Sequence, residues 1–339
     1  MTIETWEPHT ASEGELRARY AFDEAIDDEV DPDTPMYPYE LWRQELLQTS
    51  PFREAKRWVA KDGDAFVASG WLGLNRTDDN RHRANFDISV RRDKRRNGIA
   101  RDLLRQIVAA AEADSRSTLA AGAPKDTVGE DFLTAVGLAQ KLLDRRSRLL
   151  VNEVDLSLVE SWIADAKAKA PDYSLRLFDG PIPDEDVQPL IDLEATMNDA
   201  PRDDMDMEDW HQTVEEFRDG ERRMQERGTK FLYLVAKHDP TGELAGFTYL
   251  DWHPLLPQLV WQGGTAVRRE HRGHAIGRWL KASNFLGLRE ANPPAEFVDT
   301  WNAGSNQWML AINDDLGFRP YIWYSAREAK TDEIKRAIA

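Results

Sequence analysis

Hydrophobic and polar residues follow two periods along this chain, and the two periods occur in the same order twice. Runs rich in β-branched residues at 85–90 and 259–267 alternate as strands do. Each run leads through a short basic stretch into apolar residues at helical spacing, over 101–113 and from 275 through 285. The pattern therefore predicts a strand, a turn and an amphipathic helix in each half.

The remaining elements fall in the same order in both halves: helices, a hairpin, a strand, a helix, a strand, a helix and a strand. In the first half a short strand is expected within 1–12, with helices at 13–28, 39–48, 101–113 and 132–136, a hairpin of 57–60 with 65–74, and strands at 85–90, 117–121 and 142–151. In the second half the helices are 184–197, 210–227, from 275 through 285, and 306–315, the hairpin joins 231–237 to 244–252, and the strands are 173–178, 259–267, 297–302 and 319–327. This order predicts an α/β architecture with a mixed sheet in each half.

Matching landmarks recur at nearly one offset. Arg95 and Arg272 are 177 residues apart (272 − 95), and Gly137 and Gly317 are 180 apart (317 − 137). Landmarks that keep their order and spacing indicate two copies of one domain.

The chain is therefore predicted to hold an N-terminal domain at 1–152, a connecting helix at 153–171 that Pro171 ends, and a C-terminal domain at 172–339. A length of 339 residues suits two domains of ordinary size.

Charge and composition narrow the classes of partner and compartment. The formal net charge is −17, which disfavours nucleic-acid binding, and no apolar run is long enough to predict a membrane span. There is no cysteine, which excludes disulfides, thiolate metal sites and a cysteine acyl-enzyme, and no signal peptide is evident. We expect a cytoplasmic monomer or homodimer. We expect no metal, because the acidic loop 198–209 lacks the glycine and final glutamate of an EF-hand.

The basic turns have the chemistry of an anion cradle. The second copy reads TAVRREHRGHAIG over 265–277, and the first reads RRDKRRNGIAR over 91–101. The first amides of a helix lack partners within the helix and carry partial positive charge, and small residues let a phosphate approach them. An ordinary basic turn is the alternative reading of either stretch taken alone.

These turns resemble motif A of the GCN5-related N-acetyltransferase (GNAT) family, Arg-x-x-Gly-x-Gly/Ala after a strand that ends in Val. The first copy fits as Arg95-x-x-Gly98-x-Ala100, and the second reads Arg272-x-x-Ala275-x-Gly277. Downstream, the stretch 300–318 resembles that family's motif B. The layout is similar to tandem members such as the mycothiol synthases, and the resemblance implies two domains, each a mixed, mostly antiparallel twisted sheet flanked by helices.

The resemblance also implies acetyl-CoA as the co-substrate and a small-molecule amine as its partner. Main-chain groups of the second copy would hold the pantetheine arm and the pyrophosphate, and two asparagines would reach the pantetheine or phosphate side; both asparagines also suit capping. These cofactor-binding candidates are Ala266, Val267, Arg272, Gly273, His274, Ala275, Ile276, Gly277, Asn302 and Asn306, with a second site at Val90, Arg95, Arg96, Asn97, Gly98, Ile99 and Ala100.

Family members generally transfer the acetyl group directly to the amine in a ternary complex, and the absence of cysteine agrees with this. The position where many members carry a tyrosine acid holds Asn313, so Tyr324 or Tyr321 is the replacement considered. Core or sheet packing explains both tyrosines as well. Asp251, His253 and Asp299 are the candidate bases by strand position, with Asp251 preferred, although a surface or hydrogen-bonding role explains each of them as well. A water chain is the other route for the proton.

The two copies differ at the strand before the cradle. Asp87 stands there in the first copy and Gly264 in the second, whereas only the second has the fuller motif B. We expect the C-terminal copy to be the working acetyltransferase, and the N-terminal copy to be degenerate, structural or a second CoA site. A non-catalytic acyl-CoA-binding sensor or scaffold is the alternative. Acidic loops at 23–33 and 203–209 suggest a cationic acceptor.

Overall fold

The computed structural model describes residues 2–339, which divide into two compact units. The N-terminal unit comprises the chain up to Leu143 with Arg202–Glu208 and Trp323–Ala339, and the C-terminal unit comprises Asp144–Pro201 and Asp209–Ile322. The folded units therefore cut across the repeat in the sequence, because each takes in a segment of the other copy.

The N-terminal unit is built on a six-stranded sheet. Its strands are β1 (Ile3–Thr5), β2 (Arg53–Asp62), β3 (Ala65–Asn75), β4 (Arg83–Val90), β5 (Thr118–Pro124) and the later part of β12 (Arg319–Lys330). Its helices are α1 (Glu13–Val30), α2 (Tyr39–Leu47), α3 (Ile99–Ala113), α4 (Val128–Ala135) and α10 (Thr331–Ala337). The strands lie in the order β1-β2-β3-β4-β5-β12, and all neighbours are antiparallel except β4 and β5.

The C-terminal unit repeats this plan. Its strands are the later part of β6 (Ala139–Leu150), β7 (Tyr173–Phe178), β8 (Lys230–His238), β9 (Leu244–His253), β10 (Leu256–Val267) and β11 (Phe297–Ala303). Its helices are α5 (Leu156–Lys169), α6 (Asp184–Glu194), α7 (Val214–Arg227), α8 (Ile276–Ala291) and α9 (Gln307–Leu316). The order is β7-β8-β9-β10-β11-β6, with β10 and β11 the parallel pair. The predicted fold, a mixed and mostly antiparallel sheet flanked by helices in each copy, is confirmed.

The sixth strand of each sheet comes from the other sequence copy. In the N-terminal unit β5 pairs with β12, with Tyr324 opposite Pro124. In the C-terminal unit β11 pairs with β6, with Asp144 opposite Ala303. Residues assigned to a copy by their place in the sequence can therefore belong to the other unit.

Helices cover both faces of each sheet. In the N-terminal unit Leu103, Leu104 and Ile107 of α3 are fully buried in the main core, whereas Phe22 of α1 packs with Phe66 in a second cluster. Burial of each such side chain contributes about 1.5–3 kcal/mol relative to exposure.

In the C-terminal unit α8 and α5 share one core, which includes Phe285 and Trp162, and α6 contributes Leu190 to another. Helices therefore pack on both faces of the sheets that contain β4 and β10, the strands that precede the two basic turns.

Capping residues determine where several of the helices begin. The predicted helix at 210–227 begins only at Val214, because the Thr213 hydroxyl accepts from the Glu216 amide while the Glu216 carboxylate accepts from the Thr213 amide. Asn306, predicted as the first residue of a helix, is its N-cap. None of the helices within residues 2–339 is both long and apolar enough to cross a membrane.

Candidate functional site

A wedge-shaped gap opens in each sheet between the two parallel strands. In the N-terminal unit β4 and β5 pair only from Arg83 and Thr118 as far as Asn85 and Ala120. In the C-terminal unit β10 and β11 pair as far as Trp261 and Asp299. Beyond these pairs the two strands separate, and each leaves a main-chain edge to which an extended ligand could add as a strand does.

The strand β10 has a bulge shortly after Trp261, where the gap between β10 and β11 begins. Its register with β9 shifts between Gln262 and Thr265, so Gly263 and Gly264 lie within the bulge. The Tyr249 ring lies so close to Gly263 that an added Cβ would come within 2.0 Å of it, and the Tyr249 hydroxyl accepts a hydrogen bond from the Gly264 main chain. Gly263 is therefore required by the close approach of the Tyr249 ring, whereas a Cβ added at Gly264 would come within 3.1 Å of the Phe247 ring.

Each strand ends in a loop whose main chain turns twice through the left-handed region. In the N-terminal unit Arg96 has φ 63° and Gly98 has φ 81°; in the C-terminal unit Gly273 has φ 90° and Ala275 has φ 59°. Such turns bring successive amides toward one point, directly before the N-termini of α3 and α8. Both loops therefore have the main-chain geometry of an anion-binding nest.

The arginines that open the motif hold these loops in shape. Arg95 donates from Nε to the Val90 carbonyl at 2.9 Å and forms a bidentate pair with Glu29 at 2.6 and 2.8 Å. The arrangement recurs in the C-terminal unit, where the Arg272 Nε donates to the Val267 carbonyl at 3.0 Å.

In that unit the Arg272 Nη2 pairs with Asp199, also at 3.0 Å. Because a carboxylate already faces each guanidinium, an anion in the nest would rest mainly on main-chain amides.

The carboxylates that pair with these arginines, Glu29 with Arg95 and Asp199 with Arg272, form acidic clasps that no sequence pattern predicts. Glu29 and Asp199 are 170 residues apart (199 − 29), so they fall outside the offset of 177 that links the arginines. The only sequence signal was an acid near the end of the first helical region in each copy.

The other predicted cradle residues have structural roles. Asn97 donates from Nδ2 to the carbonyls of Lys94 and Arg95, both at 3.1 Å, and His274 Nδ1 lies 3.4 Å from the Lys169 carbonyl. Ile99 and Ile276 are buried and anchor the first turns of α3 and α8, and Ala100 and Gly277 follow them as small residues. Ala266 also packs against a hydrophobic core.

A tyrosine–histidine contact fixes the C-terminal loop from outside. The Tyr173 hydroxyl lies 2.9 Å from Nδ1 of the buried His271, at the place where the first copy has Lys94 paired with Asp62. No pattern in the sequence indicates this contact.

The predicted asparagines of motif B are engaged within the protein. The Asn306 side chain accepts from the Met309 amide at 3.2 Å and caps α9. The Asn302 side chain accepts from Asn313 Nδ2 at 2.7 Å, and Asn313 is fully buried. The buried Asn313 side chain thus links α9 to β11. It occupies the position at which many members of the family have a tyrosine acid.

The two residues chosen as catalytic lie in different units. Asp251 lies on β9 of the C-terminal unit, opposite Trp261 of β10. Burial, and after it the charge of Asp251, raises the pKa of Tyr249 to about 12. Tyr324 lies in the second copy of the sequence but folds as part of the N-terminal unit, which corrects its assignment to the C-terminal site. The reason is the exchange of the last strand between the two copies, because β12 completes the sheet that contains Asp87.

One buried carboxyl in the C-terminal unit was not singled out from the sequence. Glu194, at the end of α6, accepts from the Tyr233 hydroxyl at 2.8 Å, and burial raises the pKa of Glu194. Tyr233 stacks on Tyr249 with ring centroids 5.6 Å apart. Glu194 therefore lies one aromatic ring away from the bulge of β10.

Comparisons with known proteins agree with this geometry. The model of the acetyltransferase (GNAT) family matches residues 19–143. A tandem GNAT protein from the clavulanic acid biosynthesis pathway is 25% identical, with 97% of this chain and 98% of that chain covered and a TM-score of 0.78.

Two further structures are similar in fold. A GCN5-related N-acetyltransferase from Sphaerobacter thermophilus is 15% identical over 97% of this chain and 95% of that one, with a TM-score of 0.68. A structure described as a putative acetyltransferase from Pyrococcus horikoshii is 13% identical over 97% and 89%, with a TM-score of 0.55. No curated protein matches the chain by sequence.

The family match, the tandem relative aligned over nearly the whole chain and the duplicated strand–nest–helix arrangement lead to one conclusion. Residues 19–143 match the GNAT family model and the chain as a whole is similar to a tandem GNAT protein, and both findings support an acyltransferase enzyme of the class that transfers acetyl groups.

Proposed function

We propose that this enzyme transfers the acetyl group of acetyl-CoA directly to a small primary amine within a ternary complex, and that the C-terminal unit is a site of this transfer. Because the chain has no cysteine, a thiol acyl-enzyme is impossible, which favours direct transfer. The tandem relative belongs to a biosynthetic pathway, which favours a small-molecule acceptor.

One observation carries the proposal: in the C-terminal unit the gap beside β10 runs directly into the nest at the start of α8. An extended pantetheine arm could pair along 262–267, and the pyrophosphate would then reach the amides of 273–277. The Val267 carbonyl already accepts from Arg272, so neighbouring main-chain groups would form the pairing.

The proton of the amine requires an acceptor near the bulge. Asp251 and Glu194 are the carboxyl groups that both act on the pKa of Tyr249, which lies over the bulge. We assign the base role to Asp251 because Glu194 is held by Tyr233 and burial favours its neutral form.

Acetyl-CoA binding with two matched variants tests the donor site. Gly277→Glu places a carboxylate at the C-terminal nest, where an added Cβ lies 3.8 Å from Val267 and 3.9 Å from Ile312, so the substitution starts without a clash. Ala100→Glu introduces the same side chain at the equivalent position of the N-terminal unit (277 − 177 = 100). Calorimetric titration of each variant with acetyl-CoA would show which nest binds.

We expect Gly277→Glu to abolish binding at the C-terminal unit and to lower release of free CoA thiol with a panel of amines. Loss of binding only in Ala100→Glu would overturn the assignment to the C-terminal unit. Binding of acetyl-CoA by the wild-type chain without thiol release would favour the sensor alternative.

A further inference from the structure

The N-terminal unit places two titratable side chains, Asp87 and Tyr324, on either side of its gap. Asp87 lies two residues beyond Asn85, the last residue of β4 that pairs with β5, and Gly122 lies two residues beyond its partner Ala120. In parallel strands these positions share one face.

The Tyr324 ring lies directly on Gly122, where an added Cβ would come within 2.2 Å of the ring. Tyr324 therefore occupies the place of the missing side chain, at the same level and on the same face as Asp87.

This tyrosine reaches the N-terminal unit only because β12 pairs with β5. Its hydroxyl donates to the Gly122 carbonyl at 3.1 Å. Burial, followed by the charge of Asp87, raises the pKa of Tyr324 to about 12. The hydroxyl consequently keeps its proton through the neutral range and is close enough to Asp87 to sense its charge.

Asp87 is surrounded by protein and retains access to solvent. Its neighbours on the same face are Ser89, whose hydroxyl lies 3.3 Å from the carboxylate, and Trp71, directly opposite on β3. Burial raises the pKa of Asp87, and the Ser89 hydrogen bond and the charge of Arg19 lower it in part.

We propose that the N-terminal unit is a second site of acetyl transfer, in which Asp87 accepts the proton of the acceptor amine and Tyr324 hydrogen-bonds to the leaving sulfur. The proposal rests on the proposed function for the identity of the donor. It assigns activity to the copy that the sequence leaves as degenerate, structural or a second CoA site, and this copy contains the residues matched by the family model.

Acetyl transfer removes two protons from the ammonium of the acceptor. The ammonium of the acceptor gives one proton to Asp87, and its nitrogen attacks the thioester carbonyl. The C–N bond then forms and the C–S bond breaks. The nitrogen gives up a second proton as the amide forms; of the two protons, one ends on the sulfur of CoA and the other in solvent. Tyr324 stabilises the negative charge that develops on the sulfur.

The surroundings of Asp87 indicate a cationic acceptor. Asp23 and Asp27 of α1 act electrostatically on one another and on the Asp87 site, and Asp23 is paired with Arg19 at 2.9 Å. Trp71, the register partner of Asp87 on β3, exposes 39% of its surface. Carboxylates next to an aromatic face bind cations, so we infer a primary amine that carries a second positive charge.

The matched position in the C-terminal unit lacks this chemistry, because Gly264 replaces Asp87 and Tyr249 covers the bulge. The two sites can therefore be separated by mutation. The test uses the full-length Gly277→Glu protein, in which thiol release reports the N-terminal unit, with 1,4-diaminobutane and butylamine as acceptors.

In this background we expect Asp87→Asn to lower kcat by at least about 100-fold, the usual contribution of a positioned base. Tyr324→Phe should lower kcat by at least about tenfold while the Kd for acetyl-CoA stays unchanged. Asp87→Glu should recover part of the rate. The control Glu112→Gln, a surface carboxylate paired with Lys335, should leave the rate unchanged.

The pH profile distinguishes a base from a structural residue. The rate should rise with pH through an acidic-limb pKa above that of an ordinary aspartate, and Asp87→Glu should shift this limb. The charged groups that act on it are Arg19, Asp23, Asp27 and Tyr324. Thermal unfolding of each variant would confirm that it is folded.

Several results would overturn the proposal. If the wild-type chain releases thiol and Gly277→Glu releases none, the second site fails and the proposed function stands. If Asp87→Asn retains the full rate in the Gly277→Glu background, the base assignment fails. If the wild-type chain acetylates no amine, both proposals fail. Faster reaction of butylamine than of 1,4-diaminobutane would overturn the inferred acceptor class.

Discussion

The two nests use glycine at alternate positions, and this predicts opposite effects of alanine and glycine substitutions. Gly98 corresponds to Ala275, and Arg96 corresponds to Gly273 (each 177 residues apart). All four residues have positive φ. Each nest therefore holds one side chain in a conformation that an L-residue adopts at a cost of about 1–2 kcal/mol.

The size of the effect follows from strain and chain entropy. An added Cβ at Gly98 or Gly273 meets no atom within 4 Å, so Gly→Ala at either position adds only backbone strain. A glycine in the unfolded chain has more freedom, which offsets about 0.5–1 kcal/mol. We expect Gly98→Ala and Gly273→Ala to lower the free energy of unfolding by about 0.5–1 kcal/mol, and Ala275→Gly to raise it by a similar amount.

A helical glycine provides the matched control. Gly220 lies within α7 with ordinary φ, and an added Cβ there also meets nothing within 4 Å. Gly220→Ala should therefore stabilise by about 0.5–1 kcal/mol. Thermal unfolding followed by circular dichroism resolves these changes, because 1 kcal/mol shifts the Tm by about 2–4 °C in domains of about this size. A rise in Tm for Gly98→Ala like that for Gly220→Ala would refute the reasoning.

Three further predictions concern charged groups. Burial lowers the pKa of Lys281 to about 7, and within residues 2–339 its ammonium has the Phe318 ring at 5.6 Å and no ion pair. Lys281→Met should raise the free energy of unfolding by roughly 3–5 kcal/mol below pH 7, and urea titrations should show this gain vanish toward pH 10.5. Asp199→Asn should change the Tm little, because the carboxylate is exposed, yet weaken calorimetric acetyl-CoA binding as the clasp on Arg272 loosens. Partial desolvation and, after it, the neighbouring carboxylates raise the pKa of Asp27 to about 6. Because Asp27 loses its negative charge below this pH, the KM for 1,4-diaminobutane should rise as the pH falls through 6. Asp27→Asn should abolish this pH dependence.

The sign for Lys281 follows from the two protonation states. Between pH 7 and pH 10.5 the unfolded lysine is charged and the folded one is neutral, so the unfolded state binds more protons and stability rises with pH. Below pH 7 both states are charged and the penalty of burial is constant. Equal pH dependence of the wild-type and Lys281→Met proteins would contradict a buried, depressed lysine. For Asp27, a KM that falls on acidification would contradict attraction of a cation.

Local signals in the sequence were sufficient for most elements and for the nests. Strand 173–178 and the start of α1 at residue 13 were predicted at the positions found, because apolar spacing and the Ser12 cap act over a few residues. The positive φ of Gly98 and Gly273 follows from the same kind of information, since glycine occupies this region without a Cβ penalty.

The partners of the last strand in each copy could not be predicted in this way. The sequence of β12 shows that a strand will form at 319–330, but the choice of β5 as its neighbour depends on contacts about 200 residues away. Tyr324 was therefore assigned to the wrong folded unit, although the prediction that it lies on the last strand is confirmed. The clasp between Arg95 and Glu29 was missed for a related reason, since a carboxylate on an exposed helix has no distinctive pattern.

The strand exchange changes what duplication means for this enzyme. A single copy ending at residue 152 would contain Asp87 and its nest but would lack Tyr324 and the strand that pairs with β5. The C-terminal copy alone would likewise lack the part of β6 that pairs with β11. Each sheet is therefore complete only when both copies are present in one chain. Selection on either site then acts on residues of both copies, so Asp87 and Gly264 can diverge while the shared strands and both nests are kept.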